Sequence, residues 1–383
     1  MDWNTKVIEL RRELHKIAEL SFEEVKTSKY LRKLFEVDGI AVESMAGTGL
    51  VITLGSDLPG SALMLRADMD GLPIEEETDV PFRSTHPGTM HACGHDAHMA
   101  ILATTLLWAK DQVDRIQRPV KFVFQPAEER GGGARVMVEQ GVLENPPVGE
   151  VFGLHIANRL CSGVVGIKEG IASSFCDEFS VLVTGKGGHA ARPYQCIEPI
   201  VLGSRIVLES QQIIARELSA LKSAVITFTT IQSGASYNVI ADTCELGGTL
   251  RSLSLQDREF IVGRLKKKFQ AMEMESGAKI EFQLHEGYPA IQNDPQSCDL
   301  VRQIVRDELG EEYLLDEGLG VGGEDVAYFL EKKPGCYFLL GCGGKKPDFP
   351  PHHSPRFDFE ESALISGVKI FQRLIERRAF ESE

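Results

Sequence analysis

Residues 120–129 have the sequence VKFVFQPAEE, in which an apolar run leads directly into two glutamates. Val120–Gln125 is typical of a buried strand, and Glu128 and Glu129 follow where that strand ends. Other predicted strands lie at 49–55, 61–66 and 150–155, and predicted helices at 96–113 and 133–140. Two more helices are predicted over 6–37, the second beginning near Ser21–Glu24. Strands rich in Val, Leu, Ile and Phe that alternate with helices predict an α/β fold with a largely buried sheet.

A different pattern runs from about Asp177 to Gly287. Its predicted strands are 178–184, 224–232, 243–250 and 279–285, and its predicted helices are 197–218 and 256–275. The order β-α-β-β-α-β is the split βαβ arrangement of ferredoxin-like folds. Because single cores rarely exceed roughly 250–300 residues, a chain of 383 residues favours two domains. We therefore predict an inserted domain, 178–287, that interrupts a discontinuous domain formed by 1–177 and 288–383.

The composition is that of an ordinary globular protein, with 43% hydrophobic and 25% charged residues. The 41 basic and 56 acidic side chains give a formal charge of −15, which disfavours nucleic acid and anionic membrane surfaces as partners. The apolar runs are much shorter than the roughly 20 residues that span a bilayer. Eight cysteines without C-x-x-C pairs, and an N-terminus without a signal-peptide pattern, predict a cytoplasmic chain with reduced thiols.

Side chains that can bind metals gather near the ends of the predicted strands. The segment MHACGHDAH, 90–98, places three histidines, a cysteine and an aspartate immediately before a helix. This mixture of donors suits zinc, cobalt or manganese. Similar donors end or follow other strands or precede the last helix: Asp68 and Asp70, Glu128 and Glu129, His155, and His352 and His353. Since sites in open α/β sheets form at strand ends, these donors together predict a metal site.

Each of these features taken alone has a structural explanation. Asp96 could cap the helix, Glu128 and Glu129 could begin the next helix, and His155 could be a hydrogen-bonded core residue. Adjacent residues point in different directions, so one glutamate can bind metal while its neighbour acts on the reacting water. It is the coincidence of donors at several strand ends that favours the metal site.

The inserted domain contributes a second set of polar residues. His189 follows the glycine-rich turn Gly185–Gly188, Asn238 follows a strand end, and Arg251 ends another strand. Arginine and asparagine can hold a carboxylate and a carbonyl oxygen, although Arg251 alone could be an ordinary surface charge. The glycine-rich turn lacks the P-loop pattern, which disfavours nucleotide binding.

Together these motifs resemble the di-metal amidohydrolases. That family includes aminoacylases (N-acyl-L-amino acid amidohydrolases), hippurate hydrolase, N-acetyldiaminopimelate deacetylase, the plant auxin-conjugate hydrolases and, more distantly, zinc carboxypeptidases and dipeptidases. The likeness covers nearly the whole chain, and the segment MHACGHDAH is especially similar to the aminoacylase branch. The resemblance implies a phosphorylase/hydrolase-like α/β catalytic domain with a mixed sheet. It also implies that the inserted domain is a ferredoxin-like lid and dimerisation domain.

The resemblance further implies roles for individual residues. Two divalent cations, zinc, manganese or cobalt, would be bound by Cys93, His95, Glu129, His155 and His353. Cys93 would bridge the two cations as a thiolate, and Glu128 would be the general base. His189 would bind the substrate carbonyl, usually in the active site of the partner subunit, while Asn238 and Arg251 hold the substrate's carbonyl and carboxylate. Asp68, Asp70 and Asp96 would support the ligands without touching the cations.

The prediction is a metal-dependent amidohydrolase that cleaves N-acyl, and first of all N-acetyl, L-amino acids into a carboxylate and a free amino acid. A homo-oligomer, dimer or tetramer, is expected. Arg130, in place of a usual glycine, and the absence of the frequent His-Asn pair at His155-Ile156 leave the substrate preference open. The alternatives are an N-acetyldiaminopimelate deacetylase, a carboxypeptidase or dipeptidase of short peptides, and a metal-binding protein without catalysis. Glu128 argues against the last of these, because a binding protein needs no base.

Overall fold

The computed structural model describes residues 2–380. The strands are β1 (Glu43–Met45), β2 (Gly49–Leu54), β3 (Ala62–Asp68), β4 (Val120–Gln125), β5 (Val148–Ala157), β6 (Val165–Gly166), β7 (Gly170–Ile171), β8 (Phe175–Thr184), β9 (Gly188–His189), β10 (Ala224–Ser233), β11 (Val239–Ile240), β12 (Thr243–Ser252), β13 (Lys279–Tyr288), β14 (Gln292–Asn293), β15 (Leu314–Leu315) and β16 (Gly335–Gly341). The helices are α1 (Trp3–His15), α2 (Val25–Val37), α3 (His95–Lys110), α4 (Gly133–Glu139), α5 (Pro199–Gln212), α6 (Leu255–Ser276), α7 (Pro295–Glu308), α8 (Ala327–Leu330) and α9 (Leu364–Ile375).

The chain forms two compact units. Unit 1 combines the residues up to Ala172 with Ile291–Gly318 and the segment from Glu324 onward. Unit 2 contains Ser173–Ala290 together with the short segment Leu319–Gly323. The range 178–287, assigned to an inserted domain from the sequence, falls inside unit 2. Its role as a lid and dimerisation domain stays a prediction.

Unit 1 is built on an eight-stranded mixed sheet in the order β1-β2-β4-β3-β5-β16-β6-β15. The central strands β4, β3, β5 and β16 are parallel neighbours, whereas β2 joins β4 in the antiparallel sense. Every residue of β3, β4 and β16 is buried, as expected of strands covered on both faces. Helix α3 is also almost entirely buried and packs between α1 and α9. This architecture confirms the α/β fold class and brings the carboxyl ends of four parallel strands to one edge.

Two buried basic residues, Lys121 and Arg66, lie within the apolar strands of unit 1, and both are hydrogen-bonded. The Lys121 ammonium in β4 donates to the carbonyl oxygens of Val142, at 2.8 Å, and Glu144, at 2.7 Å. Arg66 in β3 serves the candidate site described below. Buried charges are tolerated only when they are hydrogen-bonded in this way, so each has a defined structural task.

Unit 2 contains a four-stranded sheet in the order β10-β12-β8-β13, with antiparallel neighbours throughout. Helices α5 and α6 pack against it, and their apolar side chains form a separate core with those of the sheet. Together with the chain order β8-α5-β10-β12-α6-β13, this is the split βαβ topology. Strands β9 and β11 form a separate two-stranded antiparallel sheet in the same unit. Over residues 2–380, none of the helices has the length and apolar character needed to cross a bilayer.

Candidate metal centre and catalytic site

The five side chains predicted as metal ligands lie in two groups that share Cys93. One group is Cys93, His95 and His155, the other is Cys93, Glu129 and His353, and the donor atoms within each group are within 4.8 Å of one another. The Cys93 Sγ lies 3.3 Å from Nε2 of His155, and His353 Nε2 lies 3.5 Å from Oε1 of Glu129. A thiolate common to two sets of donors has the position that a bridging ligand requires.

Several donor atoms of this cluster make no hydrogen bond among the described residues. Among the described residues, neither ring nitrogen of His95 makes a hydrogen bond, although Nδ1 lies 3.3 Å from Oδ1 of Asp70. Oε1 of Glu129 is also buried without a hydrogen bond in this part of the chain. His155 donates from Nδ1 to the Ile156 carbonyl at 2.7 Å, which leaves the Nε2 lone pair directed at the cluster. Because buried polar atoms are normally satisfied, these free donors fit divalent cations.

The electrostatics of the cluster also favour the binding of cations. Burial, and then the nearby carboxylates of Glu129 and Glu128, raise the pKa of the Cys93 thiol well above its usual value. Burial alone would lower the pKa of His95, but Asp68 and Asp70 raise it to about 10. A buried excess of carboxylates holds protons on its neighbours unless cations are present. Divalent cations would release the thiol proton and make the cysteine a ligand.

Glu128 occupies the position expected of a proton-transfer group. It is only 6% exposed, and its carboxylate lies within 4.8 Å of donor atoms of His95 and Glu129. On another side, Glu324 and Asp325 are equally near. Burial, followed by the charge of these carboxylates, raises the pKa of Glu128 well above its ordinary value. A buried carboxylate beside the proposed ligands, with its pKa raised by burial and by neighbouring charge, is a candidate proton-transfer group.

Asp70 fixes the turn that carries the two glutamates. Its Oδ1 accepts the backbone N–H of Glu128, and its Oδ2 accepts that of Glu129, each at 3.0 Å. The Ser21 hydroxyl donates to Oδ2 at 2.7 Å. Asp70 therefore supports the proposed ligand Glu129 through its main chain, and it also faces His95.

Asp68 supports a histidine outside the predicted ligand set. Oδ1 of Asp68 accepts from Nδ1 of His98 at 2.6 Å, and Nε2 of His98 accepts the backbone N–H of Ile156 at 2.9 Å. Both ring nitrogens of His98 are therefore used within the protein, and its tautomer is fixed. Asp68 Oδ2 lies 3.8 Å from Nε2 of His95, so this carboxylate lies beside the cluster as well.

A buried network around Arg66 was missed by sequence reasoning. The guanidinium donates to Asp68 at 2.8 Å, to the Gln125 side chain at 2.7 Å and to Asp325 at 3.0 Å. Glu324 lies 3.0 Å from the same guanidinium. The sequence did contain a signal for this network, namely a charged residue in a predicted apolar strand. Such a residue needs several hydrogen-bonding partners when it is buried. The network ties β3, β4 and the start of α8 together beside Glu128.

Asp96, predicted to support the ligands, makes its hydrogen bonds among the described residues to two other side chains. Oδ2 of Asp96 accepts from Nε of Arg11 and from Nδ1 of His15, both at 2.8 Å. His15 Nε2 faces Oε1 of Glu76 at 3.3 Å. The first turn of α3 is thus tied to α1 by a buried ionic cluster. The sequence shows Asp96 between two histidines, but it does not show the direction in which the Asp96 side chain points.

The same cluster predicts a pH-dependent contribution to stability. Burial lowers the pKa of His15, but Asp96 and Glu76 outweigh burial and raise it above 6.5. The stabilisation should be complete below pH 6.5 and should be lost as the pH rises through the raised pKa. We expect His15→Gln to lose about 1–3 kcal/mol of unfolding free energy near pH 6 and clearly less near pH 10, measured by denaturant titration. The exposed His285→Gln is the control, and a His15 effect that is constant with pH would contradict the assignment.

Unit 2 brings two of its three predicted substrate-binding residues together. His189 pairs with Val239 across the β9–β11 ribbon, and the Ala190 N–H donates to the Asn238 carbonyl at 3.1 Å. Nδ1 of His189 accepts the N–H of Ala191 at 3.1 Å, so Nε2 carries the hydrogen and can donate. Arg251 lies on β12 in the separate four-stranded sheet, opposite Cys176 of β8.

Comparison with known proteins identifies relatives over almost the full length. The model of peptidase family M20/M25/M40 matches residues 64–377. An N-acetylcysteine deacetylase of Bacillus subtilis is 35% identical over 374 residues, covering 97% of this chain and 96% of the relative. Thermostable carboxypeptidase 1 of Saccharolobus solfataricus is 37% identical over 373 residues, covering 96% and 93%.

A solved structure is also similar to this chain over almost its full length. The crystal structure of a dinuclear metal-binding peptidase of the M20 family from Bacillus subtilis superposes with a TM-score of 0.85. The two sequences are 32% identical, and the match covers 97% of each chain.

Proposed function

Because this chain belongs to peptidase family M20/M25/M40 and is a hydrolase of amide bonds, we propose that it cleaves N-acyl L-amino acids, with N-acetyl substrates the first candidates. The products are a carboxylate and a free amino acid. One observation carries the proposal: all five proposed ligands form two groups that share Cys93, and Glu128 lies beside them.

We assign one divalent cation to each group, with Cys93 common to both. Cys93, His95 and His155 would hold the first cation, and Cys93, Glu129 and His353 the second. Two cations held in this way would supply Lewis acidity at the substrate carbonyl and would make a water acidic enough to lose its proton near pH 7. The mixed thiolate, imidazole and carboxylate set suits zinc, manganese or cobalt.

The protein's own residues complete the reaction. Glu128 accepts the proton of the attacking water at its carboxylate and later gives it to the nitrogen of the leaving amine. His189 donates from Nε2 to the oxygen of the reacting carbonyl as negative charge develops there. Asn238 and Arg251 hold the carbonyl and carboxylate of the substrate. The raised pKa of Glu128 matches a group that must both accept and release a proton.

The names of the two relatives support a substrate with a free carboxylate next to the scissile amide. N-acetylcysteine and the C-terminal residue of a peptide both have this feature, although their acyl groups differ. A carboxypeptidase acting on short peptides is therefore the second candidate for this chain. The two candidates differ only in the acyl group.

The test is hydrolysis by the metal-stripped and reloaded protein. The chelator-treated chain is assayed on N-acetyl amino acids, N-benzoyl amino acids and dipeptides, before and after addition of zinc, manganese or cobalt. We expect activity that returns with metal and is higher on N-acetyl amino acids than on dipeptides. The reverse preference would favour the carboxypeptidase, and tight metal uptake without amide turnover would overturn the proposal.

Arg251 should recognise the substrate carboxylate. We expect Arg251→Met to lower kcat/KM for an N-acetyl amino acid by about 10²-fold, mainly through KM, since a charge-assisted bond contributes roughly 1.5–3 kcal/mol. Hydrolysis of the corresponding C-terminal amide should change little. Lys279→Met, on an exposed position of the same sheet, is the matched control. An equal loss on both substrates would assign Arg251 a structural role.

We also propose that unit 2 forms a homodimer contact. In α5 the side chains of Ile200 and Leu208 are exposed on one stripe, and Val225 and Ile231 are exposed on the edge strand β10. An exposed apolar stripe beside a free strand edge favours a second copy of the same sheet. Analytical sedimentation tests this contact. We expect the wild type to be a dimer and Leu208→Glu to be a monomer. A monomeric wild type would contradict the contact.

A further inference from the structure

The turn that carries Glu128 is held by two buried carboxylates, and one of them comes from the N-terminal helices. The backbone N–H of Ala127 donates to Oε1 of Glu24 at 2.8 Å, while those of Glu128 and Glu129 donate to Asp70. Three successive backbone N–H groups are therefore bound by protein carboxylates. Such a concave row of N–H groups is a natural anion site, and here Glu24 and Asp70 are its anions.

This support is needed because the turn has an unfavourable conformation. Ala127 has φ +54°, in the left-handed region that is unfavourable for a residue with a Cβ. The Ala127 carbonyl accepts the N–H of Gly133 at 3.0 Å, which closes the turn. Strained backbone persists only where its surroundings determine it. The hydrogen bond from Ala127 to Glu24 holds the residue that directly precedes Glu128, the proposed base.

Glu24 is itself rigidly placed. It is fully buried, its Oε1 also accepts the N–H of Phe22 at 3.0 Å, and its Oε2 accepts the Thr48 hydroxyl at 2.5 Å. Glu24 immediately precedes α2, yet its side chain makes no capping bond to that helix. The sequence predicted it only as an acidic residue at a helix start, whereas its carboxylate is turned to the turn after β4.

We propose that Glu24 is a positioning residue for the general base, which it holds in place through the main chain of Ala127. This rests on the proposed function of Glu128. Glu24 contacts the backbone next to the base and acts through it. Removal of the Glu24 acceptor would let Ala127 relax from φ +54°, and the Glu128 carboxylate would move with it.

The test compares three variants at a temperature well below their Tm. Glu24→Leu removes the acceptor, and Glu24→Gln keeps one oxygen for the two N–H groups while its amide can donate to Thr48. Leu31→Ala, which truncates a fully buried side chain of α2, is the destabilised control. For each variant, kcat and KM on an N-acetyl amino acid, bound metal, Tm and hydrogen exchange of the peptide spanning 124–130 are measured.

We expect Glu24→Leu to lower kcat by roughly 10²-fold, the cost of about 1 Å of misplacement, with KM within a few-fold of the wild type. Two bound cations should be retained, and exchange of the 124–130 peptide should accelerate. Glu24→Gln should recover kcat to within about threefold, because its oxygen can still accept from Ala127. Leu31→Ala should lower Tm by a similar amount, but its kcat and the exchange rate of the 124–130 peptide should be unchanged.

The proposal is overturned if Glu24→Leu keeps its kcat, or if Leu31→Ala loses kcat to the same extent at equal Tm. If Glu24→Leu does not fold, Thr48→Val removes only the hydroxyl that orients Glu24. It should then lower kcat several-fold and accelerate the same exchange, and unchanged values would also overturn the proposal. A wild type inactive on all amides contradicts the proposed function, whereas an active wild type with an indifferent Glu24→Leu contradicts this inference alone.

Discussion

Glu128→Gln is expected to lose amide hydrolysis almost completely while keeping both cations. The amide side chain has nearly the same shape as the carboxylate but cannot take the proton of the attacking water. Loss of a general acid–base group costs about 10²–10⁴-fold, and Glu128 serves in both proton transfers, so we expect kcat to fall by roughly 10³–10⁴-fold. The rate is measured on the best N-acyl amino acid, and metal is measured by elemental analysis.

Glu139→Gln provides the matched control, because Glu139 is an exposed carboxylate on α4 in the same unit. It should have wild-type kcat and metal content. A Glu128→Gln protein that retains most of its turnover would show that another group is the base. Loss of metal together with activity would instead identify Glu128 as a ligand.

Cys93→Ser is expected to have the largest effect on metal binding. Cys93 belongs to both donor groups, whereas each of the other four proposed ligands belongs to one of those two groups. Serine keeps a small polar side chain but its hydroxyl is not deprotonated near pH 7 and is a poor ligand, so both sites lose their common donor. Elemental analysis after gel filtration should find much less than one ion per chain.

His353→Ala should remove only the ion of its own group and leave about one per chain. The exposed Cys161→Ser is the control for loss of a thiol and should bind metal normally. Full occupancy in Cys93→Ser would remove this residue from the ligand set. Equal losses in Cys93→Ser and His353→Ala would contradict the shared position of the thiolate.

The sequence was sufficient for the general plan of the fold. Apolar strands such as Val120–Gln125 predicted a buried sheet. The strands and helices predicted between 178 and 287 have the same split βαβ order as β8–β13 in the structure. The position of the candidate site followed from donors at strand ends, because parallel strands bring those ends to one edge. Cys93, His155 and Glu129 lie together although they belong to three separate segments.

The supporting contacts were beyond prediction, since they depend on side-chain direction over long sequence separations. Glu24 accepts from a backbone N–H 103 positions away, and Arg66 pairs with a carboxylate 259 positions away. Neither pairing leaves a spacing pattern in one sequence. The same reason explains Asp96, which was predicted to support the ligands and whose carboxylate bonds to Arg11 and His15.

The central claim is that two cations share the thiolate of Cys93. Anomalous diffraction from a crystal of the manganese- or zinc-loaded protein, recorded at the absorption edge of the metal, tests it directly. We expect two peaks roughly 3.5–4 Å apart, one next to His95 and His155, the other next to Glu129 and His353, and both in contact with Sγ of Cys93. A single peak, or two peaks of which either is not bonded to Cys93, would contradict it.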